Sequence, residues 1–228
     1  MGEARLSVHA EPYEFEFDAG RTALLVIDMQ RDFVDPGGFG EQLGNDVSLL
    51  RRVVAPLKRV LEAMRAAGYP VIHTREGHLP DLSDCPPSKI ARGHLTTGIG
   101  DVGPMGRILV RGSYGHDIID ELKPVGDETV IDKPGKGAFF ATDLDFILRN
   151  RNVTSLVVTG VTTEVCVNTT VREANDRGYE CLILADATGA TDPANHDAAL
   201  HMVTMQGGVF GAVATSTAVI EGTTTHAG

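Results

Sequence analysis

The sequence predicts a doubly wound α/β fold, a three-layer α/β/α sandwich built on a six-stranded parallel sheet. Three features point there. Short apolar runs such as TALLVI (residues 22–27) have strand length and no polar face, as strands buried on both sides of a parallel sheet do. Between these runs lie segments with apolar residues at helical spacing. Charged or reactive residues follow the runs directly, at the strand ends where open α/β sheets hold their ligands.

The elements follow in order. Thr22 to Ile27 is the first strand, with Asp28 immediately after it. From Val47 to Ala67, Leu50, Val53, Val54, Leu57, Val60, Leu61 and Met64 form a helical stripe that Gly68 stops. Tyr69 to His73 is the second strand. Residues 76–117 are rich in Gly, Pro and Asp, with one short apolar run at Ile108 to Val110. So long an excursion in a compact domain is usually functional. Thr129 to Asp132 is the third strand and runs into Lys133; a short helix spans Thr142 to Arg149. Val153 to Gly160 is the fourth strand, followed by a helix from Thr163 to Arg177 closed by Gly178. Glu180 to Leu184, a helix from Pro193 to Gln206, and Val209 to Ala214 complete the alternation. The chain thus divides into an N-terminal extension (1–20), a single domain (21–220) and a tail (221–228) expected to be disordered.

Composition narrows the function. With 42% hydrophobic residues among 228, the chain can bury a sizeable core. No apolar run approaches membrane-spanning length, and the acidic N-terminus lacks the apolar core of a signal peptide, so a cytoplasmic protein is expected. A net charge of −11 argues against nucleic-acid or membrane partners and for a small, neutral or modestly polar one. Three cysteines, Cys85, Cys166 and Cys181, form neither a CxxC pair nor an even set, which argues against a disulfide framework or a structural zinc site. No GxGxxG or GxxxxGK[ST] pattern is present, so no cofactor is expected. His73 and His78 (HTREGH) lack metal-ligand spacing and a third ligand, so no metal is expected; His73 reads as structural and His78 as lying near a pocket mouth. His94, His116, His196 and His201 follow no pattern. Arg172, Glu173 and Arg177 read as a solvated helix face.

Three residues stand out as candidates. Cys166, in GVTTEVC, sits between a buried strand and a helix, so its thiol falls in the first turn, where the dipole and free N–H groups favour a thiolate. The alternative is a buried, inert cysteine. Asp28 ends a strand, where a partly buried carboxylate is suited to accept and return a proton; the alternative is a helix cap or an arginine partner. Lys133 ends another strand. It is either an exposed turn lysine or a cation holding nearby anions and polarising a carbonyl, a role for which Lys136 competes. A parallel sheet brings such strand ends together. Pro36-Gly37-Gly38, after Phe33, has the composition of a lid hinge.

The segments LLVIDMQRDF, IDKPGKGAFFATDLD and VVTGVTTEVCVNTTVREANDRGYE, in this order, resemble the three signatures of the isochorismatase-like cysteine hydrolases. The resemblance runs from about Thr22 to Ala214. It implies a catalytic triad of Asp28, Lys133 and Cys166, with Lys133 rather than Lys136 in the family position. It also implies a non-proline cis peptide between Val161 and Thr162, which would aim the N–H of Thr162, with that of Cys166, at a developing oxyanion. HTREGHLPDL, GVTTEVCV, REANDRGYECL and MQGGVFG are similar to the biuret and triuret hydrolase branch. That similarity implies substrate contacts from Phe33, Lys136 and Gln206, the last to a distal ureido group. Glu164 stands where that branch has Asp, and Phe140 where it has a smaller residue. Zinc-binding nicotinamidases, also relatives, carry an Asp/His ligand set not found here.

The implied activity is hydrolysis of a terminal C–N bond in a small ureido substrate, biuret to allophanate and ammonia, through an acyl-enzyme on Cys166. Triuret, ureidoacrylate or another carboxamide are the alternatives within the family. A non-catalytic binding protein on the same fold is the alternative of another class. The family also implies a homo-oligomer, a dimer or tetramer, and residues 76–117 are a candidate to complete a neighbouring subunit's pocket.

Overall fold

The computed structural model describes residues 5–91 and 97–224. An antiparallel hairpin opens the chain, β1 (Arg5–Val8) with β2 (Phe15–Asp18). The strand β3 (Thr22–Ile27) is followed by three short helices, α1 (Arg31–Val34), α2 (Phe39–Gln42) and α3 (Val47–Arg51), and by the long α4 (Val54–Ala66). Next, β4 (Val71–Glu76) leads into the excursion, which holds α5 (Pro87–Ile90) and a two-residue ladder of β5 (Val102–Gly103) with β6 (Gly106–Arg107). Then come β7 (Thr129–Lys133), α6 (Leu144–Asn150), β8 (Ser155–Val161), a π-helical turn (Thr163–Val167) and α7 (Asn168–Asp176). The chain continues through β9 (Glu180–Gly189), α8 (Pro193–Gly208), β10 (Ala212–Ala214) and α9 (Ser216–Thr224).

Six parallel strands in the order β10-β9-β8-β3-β4-β7 form the central sheet, as predicted. Alternation along β3 explains its all-apolar sequence. Leu24 and Val26 enter one core with Leu57, Val60 and Leu61 of α4, while Ala23, Leu25 and Ile27 enter the other with Leu148 of α6 and Val171 of α7. Each fully buried aliphatic side chain contributes about 1.5–3 kcal/mol, so a polar residue on either face would be costly. From β3 the chain builds β4 and β7 on one side, then returns to place β8 on the other. That reversal opens a crevice beyond the carboxyl ends of β3 and β8, where ligands bind in such sheets.

Several boundaries differ from the sequence reading. The stripe from Val47 to Ala67 is two helices, broken at Arg52–Val53 while its apolar face continues across the break. The last strand begins at Ala212 rather than Val209, because Gly211 has φ +130° and a Cβ there would collide with the carbonyl of Cys181. The helix beginning at Pro193 loses helical geometry at Met205–Gly207. Residues 221–224, read as part of a disordered tail, belong to α9, which packs on α4 and β1; residues 225–228 lie outside the described residues. The N-terminal extension packs on the domain, with Leu6, Val8, Phe15 and Phe17 of the hairpin buried in the first core.

Candidate active site

Asp28 leaves β3 in a left-handed conformation (φ 50°), its N–H held by the Thr74 carbonyl at 3.2 Å. This turn carries the carboxylate sideways across the end of the sheet. Thr74 Oγ1 donates to Asp28 Oδ1 at 2.6 Å, and Lys133 Nζ lies 2.8 Å from Oδ2. Oδ2 itself accepts no hydrogen bond of good geometry among the described residues, so it keeps a lone pair for an incoming proton. Both side chains of this ion pair are fully buried.

Lys133 ends β7 and donates to the carbonyls of Gly135 (3.0 Å) and Lys136 (2.8 Å). Burial disfavours its charge, but Asp28, Cys166 and Glu76 outweigh that and raise its pKa, which favours the ammonium form. The loop after it is tied to α7. Thr170 Oγ1 donates to the Cys166 carbonyl (2.7 Å) and accepts from the Ala138 N–H (3.0 Å), while Glu173 accepts from the Phe139 N–H (3.1 Å). Residues 172–177 are therefore not a merely solvated face: Glu173 anchors this loop, and Arg172 and Arg177 stack on Phe210 and Phe139.

Cys166 lies in the π-helical turn after β8, as the position of the next helix required. The Val161–Thr162 peptide is cis. His196 Nδ1 is hydrogen-bonded to Thr163 Oγ1 at 2.8 Å and holds the start of the turn, a role that no sequence pattern disclosed. The surroundings of Cys166 work against the thiolate that a helix start would favour. Burial, followed by the charges of Asp28 and Glu76, pushes the Cys166 thiol well above its ordinary pKa, and Lys133 only partly offsets this. The resting group is a neutral thiol that needs a base.

Glu76, the last residue of β4, was missed. Its buried carboxylate accepts from Lys89 Nζ and Lys136 Nζ, both at 2.7 Å on Oε1, and from the Cys166 thiol at 3.6 Å on Oε2. Burial would raise its pKa, but Lys133, Lys136 and Lys89 together hold it down at about 2. Gln30 clamps its backbone: Oε1 accepts the Glu76 N–H (2.7 Å) and Nε2 donates to the Glu76 and His116 carbonyls (both 2.9 Å).

A cavity of about 290 Å³ covers this floor. Glu76, Lys136, Thr162, Glu164 and Cys166 line its polar end; Phe33, Phe39, Leu50, Ile99 and Val165 line its apolar walls. Phe33 is placed by α1, pinned to the excursion through Arg31 N–H to Asp117 and Asp32 N–H to Gly115 (3.0 and 2.7 Å). The Pro36-Gly37-Gly38 turn is packed tightly back on α1, since a Cβ on Gly38 would lie 2.8 Å from the Asp32 carbonyl oxygen. Lys89, Ile90, Ile99 and Leu109 of the excursion line the cavity of their own chain. Gln206 does not line it. It is exposed at the end of α8, just before β10 and hence toward the opposite edge of the sheet.

The whole-chain comparisons agree with this architecture. The isochorismatase domain model matches residues 22–218. The chain belongs to the isochorismatase family. Ureidoacrylate amidohydrolase RutB of Serratia proteamaculans (strain 568) is 34% identical over 197 residues, covering 85% of this chain and 79% of that protein. A cysteine hydrolase from Pseudomonas syringae pv. phaseolicola 1448A superposes with a TM-score of 0.78 at 28% identity over 99% of both chains. N-carbamoylsarcosine amidase from Thermoplasma acidophilum does so at 0.65 and 26% identity, over 86% of this chain and 96% of that one.

Within this isochorismatase-family site, Asp28, Glu76 and Cys166 offer ligand atoms within 4.8 Å of one another. Lys133 stands against Asp28, and Lys89 and Lys136 stand against Glu76, so ammonium groups already occupy the places a cation would take. The histidines are used elsewhere. His73 meets Glu128 at 3.0 Å; His78, buried rather than at a pocket mouth, meets Asp84 at 3.2 Å and accepts from Lys89 at 3.0 Å. His94 lies outside the described residues. Cys85 and Cys181 are free and buried. Of the two departures from the biuret branch, Glu164 lines the cavity with Oε2 buried and lacking a hydrogen-bond partner among the described residues, whereas Phe140 is exposed and packs on Gly135.

Proposed function

We propose that the chain is a cysteine amidohydrolase that cleaves a terminal C–N bond of a small ureido or amide substrate and releases ammonia. One observation carries this reading: the thiol of Cys166 lines the cavity, and the carboxylate of Asp28, paired with Lys133 at 2.8 Å, lies within 4.8 Å of it. Asp28 Oδ2 takes the thiol proton as Sγ attacks the carbonyl carbon, and the new C–S bond pushes charge onto the carbonyl oxygen. The N–H groups of Thr162 and Cys166 receive that oxyanion, a term worth about 3 kcal/mol per donor. Its collapse breaks the C–N bond, and Asp28 returns the proton to the leaving nitrogen, which departs as ammonia. Water, deprotonated by Asp28, then attacks the thioester; the acid leaves and the proton returns to sulfur. Lys133, 2.8 Å from Oδ2, holds the Asp28 carboxylate in place. No step calls for a metal or an organic cofactor.

The relatives named for ureidoacrylate and N-carbamoylsarcosine support a small ureido substrate. Of the three contacts that the biuret similarity implies, Phe33 and Lys136 line this cavity and Gln206, the one meant for the distal ureido group, does not, so an acid-bearing ureido compound such as ureidoacrylate moves ahead of biuret. Lys136, partly exposed and lining the cavity, suits that carboxylate, and the apolar walls suit a short hydrocarbon stem. The test is ammonia release from ureidoacrylate, biuret, triuret and nicotinamide, by wild type and Cys166→Ala, with and without a chelator. Turnover of a ureido compound should fall about 10⁴-fold or more in the variant and ignore the chelator. Turnover that survives the substitution would rule out the mechanism.

A further inference from the structure

Glu76 has no part in the chemistry above, yet it is the carboxylate to which the thiol donates. Its Oε1 is saturated by two lysines, whereas Oε2 faces the sulfur and, among the described residues, has only that weak donor. Gln30 fixes the backbone from both sides, and three ammonium groups keep the carboxylate ionised, so a charged acceptor is held rigidly beside the reacting atom.

A carbonyl carbon poised for attack lies about 3–3.5 Å from the nucleophile. With Oε2 only 3.6 Å from Sγ, an N–H one bond away from that carbon comes within hydrogen-bond reach of Glu76. A ureido carbonyl carries two nitrogens. One must turn toward Asp28 to leave as ammonia, and the other is free to face Glu76. A carboxamide has a CH₂ in the second place and leaves a buried, ionised acceptor with nothing to accept from, a strongly selective arrangement.

We infer that Glu76 is the specificity-determining residue that reads the retained N–H of a ureido substrate, selecting H₂N–CO–NH–R over H₂N–CO–CH₂–R. The inference rests on the amidohydrolase reading and deepens it. As the substrate N–H takes Oε2, the thiol loses that acceptor and its hydrogen turns to Asp28.

Biuret and malonamide differ only in NH against CH₂ between their two carbonyls and make the probe pair. In wild type the kcat/KM ratio should favour biuret. In Glu76→Gln, whose amide can pair with the lysines only by presenting an N–H to the substrate, that ratio should fall by about 30-fold through loss of biuret turnover. Equal loss on both compounds would overturn the inference, because a merely structural or electrostatic role lowers both alike. Should Glu76→Gln fail to fold, calorimetric binding to Cys166→Ala decides: biuret should bind about tenfold more tightly than malonamide. Equal affinities would overturn the inference, while wild type that turns over neither compound nor any other amide would instead remove the reading on which it rests.

Discussion

Asp28→Asn lowers turnover by about a thousandfold or more, the largest loss expected from any change that leaves the nucleophile in place. Asparagine keeps the hydrogen bond from Thr74 through its Oδ1, so the local geometry persists. What is lost is the base. The Cys166 thiol is held protonated by burial and by its carboxylate neighbours, and an amide can neither take that proton nor return it to the leaving nitrogen. The variant is also less stable, since a buried lysine loses its counter-ion, a change that typically costs about 3–5 kcal/mol. Two features soften that cost: Lys133 keeps its bonds to the Gly135 and Lys136 carbonyls, and Glu76 remains nearby. Ammonia release, measured beside circular dichroism on the same sample, separates the two effects. Turnover within tenfold of wild type in a folded variant would mean that Asp28 is not the base.

Gly160→Ala acts on the frame of the site instead. Gly160 pairs with Ile27 at the end of the β3–β8 ladder, next to an irregularity in the β8–β9 register, and its φ is +106°. A Cβ at this position would fall against the carbonyl oxygen of Ile27 and 2.6 Å from its nitrogen, so backbone, not a movable side chain, blocks it. Alanine must push β3 and β8 apart where one delivers Asp28 and the other Cys166. A loss of about 4 kcal/mol is expected, from strain and the forced strand shift together. Urea denaturation measures it; a loss below about 1 kcal/mol would mean that the strands do not approach so closely.

Much of this was legible in the sequence for an identifiable reason. A strand buried on both faces cannot disguise itself: TALLVI marks Thr22–Ile27 to the residue. Asp28, Lys133 and Cys166 stand out in the sequence because each lies at or just past the end of an apolar run, and a parallel sheet gathers strand ends. Glu76 obeys the same rule, as the last residue of β4, but HTREGH draws the eye to its histidines. Only the convergence of α5 and the 134–136 loop, bringing Lys89 and Lys136, shows why a glutamate is buried there. A helix start is only one contribution to the state of the thiol, and burial beside two carboxylates, which the sequence does not disclose, acts against it. The helical residues 221–224 escaped notice because threonine and glycine have poor helix propensity, and packing of α9 on α4 decides instead.

Covalent catalysis by Cys166 is tested most directly by acid-quenching a single turnover of a ureido substrate and weighing the intact protein. The expected species is enzyme plus substrate less ammonia, with the added mass on the peptide that holds Cys166 and absent from Cys85 and Cys181. Full turnover with Cys166 unmodified at every quench time would contradict an acyl-enzyme and leave direct attack by water as the chemistry of the cavity.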